Sequence, residues 1–461
     1  MTDAPLDVVV VGGGPGGYAA AIRAAQNGLS TALVEKTALG GTCLNLGCIP
    51  TKALLRSAEA ADAVHETARL GVHCGEVRLD YGQAQRRSVE VVRALVQGVE
   101  GLMRKHRIRV VRGLGTLAGA GRVSVRGAQA TQLQARHVIL ATGSVPRPLP
   151  GLPFDGRVVI SSDDAVQLQA VPRRIAIIGA GPIGLEFACV LRAFGSKVTV
   201  IEMQQQIAPL EDAETAGVLA DALKRRGIAL RLGCGVERVE LLPQGARVHL
   251  QSGKGSVEAD QVLVAIGRLP FTEGLALEAA GVRSVQGCVP VDARMRSAVP
   301  GIWAIGDITG GPMLAHRATH QALLAADAIA GTPVHPIDPL NIPSCIYTHP
   351  QLASVGLTEA QARAAGHDIQ IARFPLRASG KALAMAQADD LVKLVCGARH
   401  GEILGAHLVG PEATELISEL VLARTHELTA RDIAAAIHPH PTLAEAVGEA
   451  ALGVLGAALH A

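Results

Sequence analysis

One pattern occurs twice in this chain, and it constrains the fold more than any other feature. The stretch "DVVVVGGGPGGYAAAIRAAQNGLSTALVEK" opens on an all-apolar run, passes through a glycine turn into an Ala-rich segment, and ends on a second apolar run closed by Glu35. The stretch "RIAIIGAGPIGLEFACVLRAFGSKVTVIE" repeats that order and closes on Glu202. In each copy the acid stands 23 residues after the first motif glycine, from Gly12 to Glu35 and from Gly179 to Glu202. Apolar runs without alternation predict strands buried on both faces, joined by a helix that returns the chain to a parallel neighbour.

Each glycine has a physical task. Gly12 and Gly179 permit a tight turn, Gly14 and Gly181 let the backbone approach a pyrophosphate, and Gly17 and Gly184 let helix pack on strand. The helix N-terminus then attracts the diphosphate, and Glu35 or Glu202 accepts hydrogen bonds from ribose hydroxyls. A lone GxGxxG marks many ordinary turns. Strand, glycines, helix and acid together, present twice, predict two Rossmann-like dinucleotide-binding domains. Glu202 also points to NAD over NADP, because its charge repels a 2′-phosphate and Met203-Gln204-Gln205 supply no arginine to bind one.

The chain of 461 residues is too long for one core, and 49% hydrophobic content supplies several. Lys+Arg of 43 against Asp+Glu of 41 gives a net charge of +2, so no strong field draws nucleic acid or an anionic membrane. The opening MTDAPLDVVVVGGG has neither a basic nor an apolar leader, and later apolar runs are broken early, which predicts a soluble, cytoplasmic protein. Residues 53 to 107, rich in Ala, Glu and Arg, predict one long helical stretch, followed by hairpin character in "RVVRGLGTLAGAGRVSV". Boundaries fall near 148, 268 and 340. They divide the chain into segments 1–148, 149–268, 269–340 and 341–461, the last alternating strands and amphipathic helices in an α+β pattern.

Of the eight cysteines, only Cys43 and Cys48 form a close pair, in "GGTCLNLGCIPTK". A structural disulfide suits a cytosolic chain poorly. A zinc site needs about four ligands, and no matching cluster lies nearby, so no metal is expected. Two inert buried thiols are the plain alternative. Their position directly after a dinucleotide unit favours a redox dithiol working against a flavin ring. Such a dithiol needs a base, and "AIHPHPTLAEAVGEA" offers His438 and His440, with Glu445 placed to hold one imidazole nitrogen protonated.

Five stretches in this order, "GGTCLNLGCIPTK", "ATGSVPRPLPG", "GAGPIGLE", "AIGDITGGPMLAH" and "HPHPTLAE", resemble the class I pyridine nucleotide–disulfide oxidoreductases over nearly the whole chain. The resemblance implies an α/β fold of two Rossmann-like domains, one for FAD and one for NAD, with a central domain and an α+β C-terminal interface domain in a homodimer. It implies that Cys43 exchanges with the substrate, that Cys48 is the thiolate at the flavin, and that His440, held by Glu445, is the base, acting on the cysteines of the other subunit. FAD contacts are implied for Gly12, Gly14, Gly17, Glu35, Lys36, Lys52, Gly115, Thr142, Gly143, Ser144, Asp307, Met313, Leu314, Ala315 and His316. NAD contacts are implied for Gly179, Gly181, Gly184, Glu186, Glu202, Val236 and Gly267, with Lys52 and Glu186 paired near the flavin.

Within the family the resemblance is nearest to the branch that oxidises protein-bound dihydrolipoamide with NAD⁺ for a 2-oxo acid dehydrogenase or glycine-cleavage complex. A lipoyl-bearing protein is then the implied partner. Dihydrolipoamide would attack the Cys43–Cys48 disulfide at Cys43, Cys48 would pass electrons to FAD, and hydride would go to NAD⁺. Two alternatives stand beside this: a reductase of another disulfide or acceptor, and a mainly docking FAD- and NAD-binding subunit. Gln321-Ala322 depart from the acid and glycine common in relatives.

Overall fold

A computed structural model describes residues 5–387 and 390–460 of the chain. They pack as two compact units, one drawn from residues 1–53, 82–147 and 267–337, the other from 54–81, 148–266 and 338–461.

In the first unit, parallel strands run in the order Arg109–Arg112, Thr31–Glu35, Leu6–Val11 and Thr131–Leu140, with Ile302–Ala304 beside the last. The far end of Thr131–Leu140 continues into the antiparallel strands Arg122–Arg126 and Leu114–Leu117. The unbroken apolar run Val8–Val11 follows from burial on both faces. Val8 and Val10 join one core with Leu33, Ile139 and Trp303, while Val9 and Val11 join a second with Val34, Leu140 and Ala304. Helix Pro15–Gln26 crosses the sheet and packs on helix Ala315–Ile329. Gly16 makes that approach close: a Cβ there would lie 3.2 Å from the Ala318 carbonyl. Arg23 and Asp327 tie the same helices at 2.6 Å.

The long helical stretch expected over 53 to 107 is two helices, Cys48–Glu66 and Tyr81–Lys105. Between them the short 3₁₀ turn Thr67–Leu70 ends at Gly71, whose φ is +78°. The intervening GVHCGEVRLD has two glycines and no 3.6-residue apolar period, so nothing sustains a helix there.

The second unit repeats the first motif. Strands Ala229–Arg231, Lys197–Ile201, Arg174–Ile178, Gln261–Val264 and Val159–Ile160 form a parallel sheet in that order. Its antiparallel appendage is Val236–Leu241, Ala246–Leu250 and Ser256–Ala259. The C-terminal part is a separate antiparallel sheet ordered Ser344–Ile346, Gln351–Gly356, Ile403–Gly410, Leu391–Gly397 and Ile369–Pro375, packed against helices Ala413–Thr425 and Glu445–Val454. Among the described residues no helix is long and apolar enough to cross a membrane.

Candidate active site

The first glycine turn has the geometry its residues predict. Gly12 has φ +108°, and a Cβ on it would lie 2.2 Å from the Ala141 carbonyl oxygen. On Gly17 a Cβ would lie 1.8 Å from the Gly12 carbonyl oxygen, so helix and strand meet backbone to backbone. Gly14 caps helix Pro15–Gln26 without a side-chain hydrogen bond, which leaves the positive helix terminus to an external anion. A Cβ on Gly14 meets nothing nearer than Gly41 Cα at 4.0 Å, so the ground above the turn is open. Glu35 is buried and latches the turn: Oε2 accepts the Gly13 N–H at 2.7 Å, and Oε1 accepts from the Thr37 N–H and hydroxyl at 2.7 and 3.0 Å.

The cysteine loop is seated on this turn. The Gly40 N–H donates to the Gly13 carbonyl at 2.8 Å, and Asn45 Nδ2 ties back to the Leu39 and Gly41 carbonyls. Gly40 and Gly41 both have positive φ, which lets the chain reverse into the short helix Gly41–Leu46 that carries Cys43. Cys48 begins the next helix, one turn from Lys52. Both thiols are partly buried. The Cys43 thiol is pushed far above the ordinary thiol range, chiefly by its hydrogen bond with Cys48, then by burial and the charge of Cys48; Lys52 opposes the shift. Tyr18 packs in the same core as Cys43, and its phenol is pushed up by burial and then by the cysteine pair.

Residues distant in sequence close the other side of the first unit. Thr142 Oγ1 donates to the Phe271 carbonyl at 2.6 Å, and the Phe271 N–H returns to the Gly143 carbonyl at 2.9 Å. Ser144 Oγ donates to Asp307 Oδ2 at 2.5 Å. Asp307 sits in the turn Gly306–Thr309, which leads through Met313 and Leu314 into helix Ala315–Ile329, where Ala315 and His316 open the first turn. Lys36 Nζ lies 3.9 Å above the Phe271 ring. Gly115 stands where a Cβ would come within 2.9 Å of Val11 Cγ1 and 3.1 Å of Val34 Cγ1, a packing reason for glycine at that position. An uncapped helix end for a diphosphate, an open glycine turn and a carboxylate for a polyol fit a flavin dinucleotide.

The second unit holds the repeat. Gly179 has φ +104°, and a Cβ on Gly184 would lie 2.1 Å from the Gly179 carbonyl oxygen, while one on Gly181 meets nothing. Helix Pro182–Ala193 again starts uncapped. Glu202 reproduces the Glu35 latch, accepting from the Ala180 N–H at 2.8 Å and the Gln204 N–H at 2.9 Å. Glu186, buried in that helix, accepts the Tyr347 N–H at 3.1 Å. Val236 is half-buried at the start of its strand. Gly267 belongs to the first unit, with φ +112° and its carbonyl taking the Arg147 N–H.

The C-terminal histidines divide. His438 is enclosed, with Nε2 3.0 Å from Glu419 Oε1. His440 is 80% exposed, and its Nδ1 lies 2.9 Å from Glu445 Oε1. The Thr442 N–H donates to Glu445 Oε2 at 2.8 Å. That bond and His440 hold the Glu445 carboxyl below its ordinary range, so it stays an acceptor. With that carboxylate as acceptor, Nδ1 is the ring nitrogen that donates. The His440–Pro441 bond is cis.

Residues 6–322 match the family model described as pyridine nucleotide-disulphide oxidoreductase, and residues 342–451 match the dimerisation domain of the same family. The chain belongs to that family. Among curated proteins it is 44% identical to dihydrolipoyl dehydrogenase of Bacillus subtilis (strain 168), over 98% of this chain and 99% of that one. It is 45% identical to dihydrolipoyl dehydrogenase 3 of Pseudomonas aeruginosa, over 98% of both. Among solved structures, LpdA of Mycobacterium tuberculosis superposes with a TM-score of 0.91 at 28% identity, covering 97% of this chain and 99% of that one. The HOCl-induced flavoprotein disulfide reductase RclA of Escherichia coli gives 0.87 at 28%, covering 96% and 99%.

For this oxidoreductase, sequence reasoning missed the tasks of three residues around Asp307. Arg268 donates through Nε to Ser144 Oγ at 2.8 Å and through Nη2 to the Ser144 carbonyl at 2.9 Å. Arg317 donates to the Gly310 and Pro312 carbonyls at 2.7 and 3.1 Å. Buried Gln321 accepts the Gly306 N–H on Oε1 at 2.7 Å, which supplies a task for the departure noted at that position. The arginine in "AIGRLP" and the departure at Gln321 are the local signals; the contact of Arg268 with Ser144 joins residues far apart in sequence.

Proposed function

We propose that this chain is an NAD-dependent dihydrolipoyl dehydrogenase that oxidises a dihydrolipoyl dithiol through the Cys43–Cys48 pair and FAD. The observation that carries it is the seating of the cysteine loop on the first glycine turn, through Gly40 and Gly13, with the two thiols hydrogen-bonded to each other. When bound, FAD supplies a two-electron acceptor that can return hydride to NAD⁺.

The chain's own residues then have distinct tasks. The substrate thiolate attacks Cys43 of the Cys43–Cys48 disulfide, the S–S bond breaks, and Cys48 leaves as thiolate; the second substrate thiolate displaces Cys43 from the mixed disulfide. His440 of a second copy accepts the substrate's thiol proton at Nε2, and Glu445 orients the ring. Lys52, one helical turn from Cys48, favours negative charge beside the thiolate. Gly12, Gly14, Gly17, Glu35 and Asp307 hold FAD; Gly179, Gly181, Gly184 and Glu202 hold NAD. The carboxylate of Glu202, with Met203 and Gln204 after it, disfavours a 2′-phosphate.

Homodimer assembly through the dimerisation domain, cytoplasmic residence, a lipoyl-bearing protein as partner and the four-segment division at about 148, 268 and 340 belong to the same proposal. The test is the visible spectrum of the purified holoenzyme under anaerobic conditions. Dihydrolipoamide is expected to bleach the flavin band, and NAD⁺ to restore it with stoichiometric NADH. A flavin reduced by NADH but untouched by dihydrolipoamide overturns the substrate and leaves another disulfide or acceptor, as the resemblance to a flavoprotein disulfide reductase allows.

A further inference from the structure

The turn Gly306–Thr309 presents Asp307, and side chains from three other parts of the first unit converge on it. Ser144 Oγ is 2.5 Å from Asp307 Oδ2 and 2.8 Å from Arg268 Nε, while Arg268 Nη2 holds the Ser144 carbonyl at 2.9 Å. A serine hydroxyl has one proton and two lone pairs. Arg268 donates into a lone pair, so the hydroxyl proton must point away from it, and the partner there is Asp307. The fork of the guanidinium, anchored at both the hydroxyl and the carbonyl of one residue, fixes the direction.

We propose that Arg268 is a positioning residue of the flavin site: acting through the Ser144 hydroxyl, it orients Asp307 so that the carboxylate accepts a polyol hydroxyl. This rests on the reading of Asp307 as the residue that holds the ribitol of FAD. With Oδ2 committed to Ser144, Oδ1 is the oxygen presented to the ligand. The surrounding contacts serve the same end. Gln321 clamps the Gly306 N–H, and Arg317 pins the carbonyls of Gly310 and Pro312 and bonds Thr309 Oγ1 at 3.2 Å. Gln321 supplies an acceptor without a second negative charge beside the carboxylate.

The test uses the full chain freed of flavin and reconstituted with FAD, with affinity followed by flavin fluorescence. Arg268→Gln and Ser144→Ala are each expected to weaken FAD binding about 10- to 100-fold, the range for a charge-assisted hydrogen bond. Ser144→Thr, which keeps the hydroxyl, should restore affinity. In an Asp307→Asn background, Arg268→Gln should add little further loss. Additive losses in that double variant, or a Ser144→Thr variant as weak as Ser144→Ala, overturn the relay. If Asp307→Asn alone leaves FAD affinity intact, the ribitol reading itself falls, and the relay with it. Should Arg268→Gln not fold, the Ser144→Ala and Ser144→Thr pair decides on the same affinity measurement.

Discussion

Glu445 grips His440 Nδ1 at 2.9 Å with one carboxylate oxygen and the Thr442 N–H at 2.8 Å with the other, so an imidazole that is otherwise exposed has a fixed orientation. His440→Gln removes the base and is expected to lower kcat for dihydrolipoamide oxidation by about 10²- to 10⁴-fold. Reduction of an artificial acceptor by NADH, which needs no thiol chemistry, should survive. Parallel assays of the two reactions check this, and equal losses in both would remove His440 from the thiol half.

The thiol pair predicts an alkylation experiment. Cys43 is held above the ordinary thiol range first by its hydrogen bond with Cys48, then by burial. Its thiolate, the reactive form, therefore appears only at high pH in the reduced protein. Cys48→Ser removes the sulfur acceptor and its charge, so the pH profile of Cys43 alkylation, followed by mass spectrometry, should shift to lower pH. A profile that stays in place would mean that burial alone sets it.

The glycines of each turn are predicted to differ in tolerance. An added methyl at Gly17 or Gly184 would lie 1.8 or 2.1 Å from a carbonyl oxygen, whereas at Gly181 it meets open space. Gly17→Ala and Gly184→Ala should each cost about 1–3 kcal/mol or more. Gly17→Ala should also cost flavin content, and Gly184→Ala affinity for NADH. Gly181→Ala should melt near the parent temperature. Thermal melts together with flavin stoichiometry separate these outcomes.

Lys393 is buried with Asp212 at 2.9 Å and with Glu214 and Glu359 each at 3.0 Å. The three carboxyl groups are held below their ordinary values of 3.8, 4.5 and 4.5, and Lys393 above its ordinary 10.5. Depressed carboxyls stabilise the fold above their unfolded values, and that stability is lost as pH falls through the folded ones. The raised lysine stabilises below 10.5, and its share is lost as pH rises beyond it. Lys393→Met should cost about 3–5 kcal/mol near neutral pH by stranding Asp212. The cost should shrink below about pH 4, as urea titrations at several pH values would reveal.

The two dinucleotide folds were legible because their signals are local: a glycine needed at positive φ, a strand buried on both faces and an acid at a set spacing all act within about thirty residues. The cysteine loop and the His440–Glu445 dyad were legible for the same reason, being five residues apart in each case. The spacing of Glu35 and Glu202 points to ribose ligands, whereas what the tertiary structure shows of each is a latch on its own glycine turn. The break at Gly71 was missed because a rich helical composition on both sides masked ten residues without a period. What only the tertiary structure decided is where remote side chains meet. Ser144 reaches Asp307 across 163 residues and Arg268 reaches Ser144 across 124. No pattern in the intervening sequence encodes such contacts; they exist because the parallel sheet brings the end of strand Thr131–Leu140 beside strand Ile302–Ala304, and because Arg268–Pro270 pairs antiparallel with Ser144–Pro146. Sequence by itself determined which residue types could do the chemistry, and packing determined which of them hold the others in place.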